Sequence, residues 1–184
     1  MTEQHAEKND HASVLRRAIR DVRARYDQLE RGKTAPIRRA RTADDVALEG
    51  AYWRIGGTLA REERHLAHVV LLFPCARHAT KESFSFGRYL RRQIVENDGA
   101  TLRFRRVLDS HDREELDHRL RGMLKLAGAD TSPVDWGVLG TDMLWFFAES
   151  DGVRRRWAQD FYAPTAREPS AAGSAPSATT TSPT

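Results

Sequence analysis

Apolar residues recur along this chain at three- and four-residue intervals, and no stretch alternates apolar with polar over the length of a strand. That pattern predicts helices. Leu15, Ala18, Ile19, Val22, Tyr26 and Leu29 share one face of a helix from Ser13 to about Arg31, stopped by Gly32. Thr42-Ala43-Asp44-Asp45 is a capping box that opens a short helix with Val46, Leu48, Tyr52 and Trp53, broken at Gly56-Gly57. Thr58 caps the next, which runs to about Phe73 with Leu59, Leu66, Val69, Val70 and Phe73 inward. Ser85 caps another, and Leu102–Leu108 belongs to one more. Asp109–Asp112 caps a helix that runs to about Ala127 with Leu116, Leu120, Met123 and Leu124 inward.

The densest apolar stretch is Val134–Tyr162, which holds Trp136, Trp145 and Trp157. Aromatics bring the largest burial per residue, so the core gathers here. Asp135 can cap a first helix that is apolar nearly all round, and such a helix is buried on two sides, or buried on one and covered by a partner on the other. After a break at Glu149–Gly152, Val153, Trp157 and Phe161 line one face of a second. The fold class implied is all-α, a compact bundle of about seven or eight helices in one or two lobes. Residues 13–163 form the helical domain. Residues 1–12 are expected as a disordered lead-in. Residues 164–184, almost entirely Ala, Ser, Thr, Pro and Gly, are expected as a disordered tail.

Composition adds location and a candidate ligand. No apolar run approaches the length of a membrane helix, and MTEQHAEKND has no secretory apolar segment. Cys75 is the only cysteine, so no internal disulfide can form. A cytoplasmic protein with no membrane partner is expected. The net charge is a modest +4, but all of the 30 basic residues except Lys8, Lys33, Lys81 and Lys125 are arginine. Guanidinium forks bind phosphates bidentately. The codon bias of a GC-rich genome gives the same excess. Composition alone leaves the two about even; Arg31–Arg41, RGKTAPIRRAR, reads as a basic loop with no acid and is a phosphate-binding candidate, and Phe86–Arg106 is also arginine-rich.

Apparent catalytic motifs fail on inspection. Gly32-Lys33-Thr34 imitates the end of a phosphate-binding loop, but Asp27 stands where its first glycine belongs and no strand precedes it. Ser110-His111-Asp112 cannot be a triad, which is assembled in space from separate elements. His65 and His68, with Glu62 at the same i, i+3 spacing, lack the H-E-x-x-H motif and a further ligand, and read as helix-surface histidines. No catalytic residue, metal or cofactor is expected.

One resemblance makes the binding reading concrete. Asp135, Trp136, Leu139 and Asp142, then Val153, Arg154, Trp157, Asp160, Phe161 and Tyr162, resemble the C-terminal motifs of the CasB family, the small subunit of the type I-E CRISPR Cascade complex. Ser85, Gly87, Leu90 and Arg91 match its S-x-G-x-x-L-R turn, and Leu116, Leu120, Arg121 and Leu126 a further leucine–arginine pattern. The likeness spans about residues 15–163. It implies a non-catalytic subunit that assembles with other Cascade subunits and a second copy of itself. Such a subunit contacts guide RNA and target DNA, and holds the displaced strand. Motif positions then suggest Arg31, Arg103, Arg121, Arg154 and Arg155 as nucleic-acid contacts, and the basic loop adds Arg38 and Arg39. Two other classes fit the helices and charge: a helix-turn-helix transcription regulator, and a helical adaptor whose arginines are merely solvated.

Overall fold

The computed structural model describes residues 3–79, 84–94, 98–129, 132–148 and 151–163. Among these are ten α-helices: α1 (Glu3–Gln28), α2 (Arg31–Arg39), α3 (Ala43–Ala47), α4 (Gly50–Glu62), α5 (Leu66–Leu72), α6 (Phe86–Gln93), α7 (Asp98–Leu108), α8 (Arg113–Leu126), α9 (Trp136–Trp145) and α10 (Gly152–Tyr162). The described residues contain no strand, only an isolated parallel bridge between His78 and Val134. The expected all-α class holds, with more helices than the seven or eight anticipated.

One apolar core runs from Leu15 on α1 to Trp157 on α10. At its centre α9 is buried at every position from Trp136 to Leu144, as its all-round apolar pattern requires. It packs on α1, while α10 packs on α6. Both contacts are close. A Cβ on Gly137 would sit 2.7 Å from the Arg16 carbonyl oxygen, and one on Gly87 only 2.1 Å from that of Trp157. Polar joints lock the same pairs. Asp135 caps α9 by accepting from the Gly137 and Val138 amides, and receives both the Nε and Nη2 of Arg20 on α1. Ser85 caps α6 and donates to Asp160 on α10.

Thr42, Ser85, Asp112 and Asp135 cap helices as expected, whereas Thr58, expected as a cap, lies inside α4. Thr42 and Asp45 form the reciprocal capping box, and Asp112 accepts from the Glu115 amide. At the far end of α8, Gly128 takes φ 62°. The Ala129 amide donates to the Leu124 carbonyl and the Gly128 amide to that of Lys125, which satisfies the last carbonyls.

Several boundaries differ from expectation; α1 ends at Gln28 with the expected stop Gly32 inside α2, and the one helix expected from Thr42 to Gly56-Gly57 is two, α3 and α4. α1 begins at Glu3, and Ser13 lies inside it with its hydroxyl on the Asp10 carbonyl. Polarity argues against burial there, not against helix. The Arg31–Arg41 segment is not a loop: it forms α2, anchored by buried Thr34 and Ile37. Pro36 forfeits one backbone bond in this short helix, and the two buried anchors outweigh that loss. The single helix expected from Thr58 to Phe73 is two, α4 ending at Glu62 and α5 starting at Leu66. Gly57 does not terminate α4 but kinks it, at φ 55° and ψ −129°. The expected tail, 164–184, lies outside the described residues.

Candidate nucleic-acid interface

Arginine in this protein serves two purposes. One population holds the fold together by donating to carbonyls that helix ends leave unpaired. Arg113 donates to the Met143 and Leu144 carbonyls at the end of α9, both at 3.1 Å. Arg119 does the same for Arg106 near the end of α7, and Arg25 for Ile55 at the α4 kink. Arg23 is buried. It donates to the Phe73 and Ala76 carbonyls at 2.6 and 2.9 Å, pairs with Asp27, and lies over the rings of Tyr26, Phe73 and Trp136.

Arg154, a motif-derived contact residue, belongs to this first population. Its Nη2 donates to the Ser110 carbonyl at 2.8 Å, and its guanidinium lies 4.8 and 5.2 Å from the rings of Phe146 and Phe147. Arg155, next to it on α10, is exposed.

The second population faces solvent. With Thr34 and Ile37 inward, α2 turns Arg31, Lys33, Arg38 and Arg39 outward. Burial raises the Tyr26 hydroxyl above its ordinary pKa, and the neighbouring Arg38 guanidinium partly offsets that rise. Just past α2, exposed Arg41 meets α8 across a hollow of about 60 Å³ lined also by Thr42, Glu114, Asp117, His118 and Arg121. Beyond His118 a wider hollow of about 430 Å³ opens between α7 and α8, lined by Arg103, Arg106, His118, Arg119, Gly122 and Met123.

His118 lines both hollows, with Arg41 and Arg121 at the one and Arg103 and Arg106 at the other, an arginine band that Arg38 and Arg39 precede along the chain. Of the residues expected from the sequence, Arg103 and Arg121 line the band, while Arg31, Arg154 and Arg155 line neither hollow. Arg106 and His118 were not anticipated. The signal was there, since α7 presents Arg103 and Arg106 three residues apart on one face and α8 presents His118 and Arg121 likewise.

Of the two acids that line the first hollow, Glu114 is exposed and Asp117 is not. Asp117 is buried, its Oδ2 bonded to His68 Nδ1 at 2.6 Å, and burial raises its carboxyl above the ordinary range despite that partner. His68 is therefore a half-buried partner of Asp117 rather than a free surface histidine. The Asp117 Oδ1 and the Arg121 Nε have no hydrogen-bond partner among the described residues. Arg121 also offsets the burial that raises the Cys75 thiol. Among the described residues no three His, Cys, Asp or Glu side chains converge as a metal site requires, and no helix is long and apolar enough to cross a membrane.

The sequence model of the CRISPR-associated protein Cse2 family matches residues 27–162, most of the chain and nearly all of its helices. A search of the curated proteins returns no match. The chain belongs to the Cse2 family, the small subunit, or CasB, of type I-E Cascade.

Proposed function

We propose that this Cse2-family chain is a non-catalytic Cascade subunit that grips nucleic acid by its phosphates along the band from Arg38 and Arg39 through Arg41 and Arg121 to Arg103 and Arg106. The observation that supports this reading most directly is His118, which lines both arginine-bearing hollows, one between the α2–α3 link and α8 and one between α7 and α8. Guanidiniums in series bind a phosphate backbone with little regard to sequence. The natural ligand is the strand displaced when guide RNA pairs with target DNA. That exchange is nearly balanced in energy, so protein contacts to a backbone tip it. Guide RNA and the target strand offer the same phosphates. A second copy of the chain extends the band along the complex.

The helical-adaptor reading has one observation behind it: Arg23, Arg25, Arg113, Arg119 and Arg154 are spent on carbonyls within the chain. The experiment compares Cascade with and without this subunit for binding of target duplex, then repeats it with Arg103→Ala/Arg106→Ala. A complex that assembles but opens the duplex poorly supports the grip. Unchanged opening by that variant supports the adaptor.

A further inference from the structure

Glycine inside a helix costs roughly 1 kcal/mol relative to alanine, so its presence needs a reason. For Gly56, Gly87, Gly137 and Gly140 the reason is packing, and a Cβ on Gly56 would meet the Ala60 Cβ at 2.6 Å. A Cβ on Gly87 would strike the Trp157 backbone, one on Gly137 the Arg16 backbone, and one on Gly140 Ile19 and Val69 at 2.9 Å. Gly57 needs its positive φ. Gly32 and Gly50 face open space, but each stands in the first turn of its helix. Gly122 is different. It sits deep in α8, takes ordinary helical geometry, and a Cβ there would meet nothing within 4 Å. Nothing in the fold of this chain asks for glycine at that position.

Its surroundings supply the reason. Gly122 lines the hollow of about 430 Å³ between α7 and α8, together with Arg103, Arg106, His118 and Arg119. Buried Met123 and Leu124 fix the turn that carries it. We infer that Gly122 is the close-approach point of the interface, where a phosphodiester backbone lies against the bare main chain of α8 between the Arg103/Arg106 pair and His118. This rests on the reading of the band as a phosphate surface and names where on it the strand comes closest. Without a side chain at 122, a phosphate can descend until guanidiniums from α7 reach it from the flank. A side chain there would hold the strand off and lengthen those charge-assisted bonds, whose strength depends on short distances. An acidic peptide would answer the charge as well, but the side chains lining the hollow are arginine and histidine except for Met123, which is buried in the core, and that lining favours a phosphate backbone.

The test uses the full chain and a labelled single-stranded oligothymidine, with Gly122→Ala, Gly122→Gln and Arg103→Ala/Arg106→Ala. Gly122→Ala is expected to melt at or above the parent temperature, because alanine favours the helix and its methyl meets open space, yet to bind more weakly. Gly122→Gln is expected to lose roughly tenfold in affinity, the weight of one contact to a charged group. Parental binding by Gly122→Gln beside a loss in Arg103→Ala/Arg106→Ala overturns the close approach and leaves the band standing. Parental binding by all three variants overturns the band, and the inference with it. A lower melting temperature for Gly122→Ala overturns it by showing that the fold itself needs the glycine. If Gly122→Gln binds oligothymidine normally but drops out of assembled Cascade, the occupant is a protein and the inference is wrong.

Discussion

Trp157 donates its indole N–H to the Oδ2 of Asp142 at 2.6 Å, which joins α10 to the buried side of α9. Arg156 takes the other oxygen at 2.5 Å. The indole also packs 5.0 Å from Phe86 and 5.3 Å from Phe146. Trp157→Ala therefore removes a core aromatic and leaves a buried carboxylate half-bonded. The expected loss is at the upper end of about 3–5 kcal/mol. Trp157→Phe keeps most of the volume but not the N–H, and should lose about 1–3 kcal/mol. Urea titration followed by circular dichroism measures both. A neutral Trp157→Phe would mean that the Asp142 bond adds nothing.

Asp142 and Trp157 are both residues by which the family resemblance is legible, and so are Ser85, Gly87, Asp135, Arg154 and Asp160. In the structure these are joints: caps, close contacts and inter-helix bonds. That is why the fold could be read from the sequence in more detail than the candidate band, of which Arg38, Arg39, Arg103 and Arg121 were legible and Arg106 and His118 were not. A buried joint admits few residue types at fixed spacing, so it leaves a motif. A phosphate-tracking surface needs only cations within reach, and arginine can supply one from many positions. The same physics explains α2, where charge density and Pro36 read as a loop while two buried residues, Thr34 and Ile37, were enough to hold a helix. It also explains His68, whose partner Asp117 is 49 residues away and invisible to local periodicity.

Arg154 and Arg155 separate the two kinds of arginine within one helix. Arg154→Ala removes the donor to the Ser110 carbonyl and uncovers Phe146 and Phe147, so a loss of about 1–2 kcal/mol in stability is expected. Arg155→Ala, at an exposed position, should stay within about 0.5 kcal/mol of the parent. Thermal melts of the two variants check this. Equal melting temperatures would place Arg154 in the solvated population.

Asp45 gives a prediction in pH. The Arg41 and Thr42 amides both donate to its Oδ2, and they hold the carboxyl below its ordinary range. A depressed folded-state pKa stabilises above the unfolded value, and that contribution is lost as pH falls through the folded one. Asp45→Ala should therefore be less stable than the parent at neutral pH, and the gap should close in acid, below the ordinary carboxylate range. Denaturant midpoints across a pH series measure it. A gap that persists in acid would assign the effect to helix propensity rather than to charge.

Asp117, bonded to His68, behaves oppositely to Asp45. Burial is the largest influence on Asp117 and raises its pKa. A raised acid takes up its proton more readily folded than unfolded, so its contribution weakens as pH rises from the ordinary range through the folded value. His68→Ala strips the carboxylate of its partner and makes the ionised form costlier still. A loss of about 3 kcal/mol is expected at neutral pH. It should shrink in acid, where Asp117 is protonated in both proteins. A loss independent of pH would show that His68 matters for packing alone.

The band itself predicts a salt dependence. Each phosphate contact releases counterions from a single strand, so losing one should flatten the slope of log affinity against log salt by about 0.7. Arg38→Ala/Arg39→Ala and Arg103→Ala/Arg121→Ala should each flatten the slope and weaken binding alike for unrelated sequences, because phosphates carry no base identity. Arg113 is the control: it is bonded to the Met143 and Leu144 carbonyls, so Arg113→Ala should lower stability and leave the slope unchanged. Binding of assembled Cascade to target duplex is measured over a salt series, after each variant is shown to fold and assemble. If the four band arginines leave both affinity and slope at parental values, they are solvated surface charges, and the adaptor reading replaces the grip. If the loss is confined to one target sequence, the contacts read bases, and a helix of this bundle enters a groove rather than following a backbone.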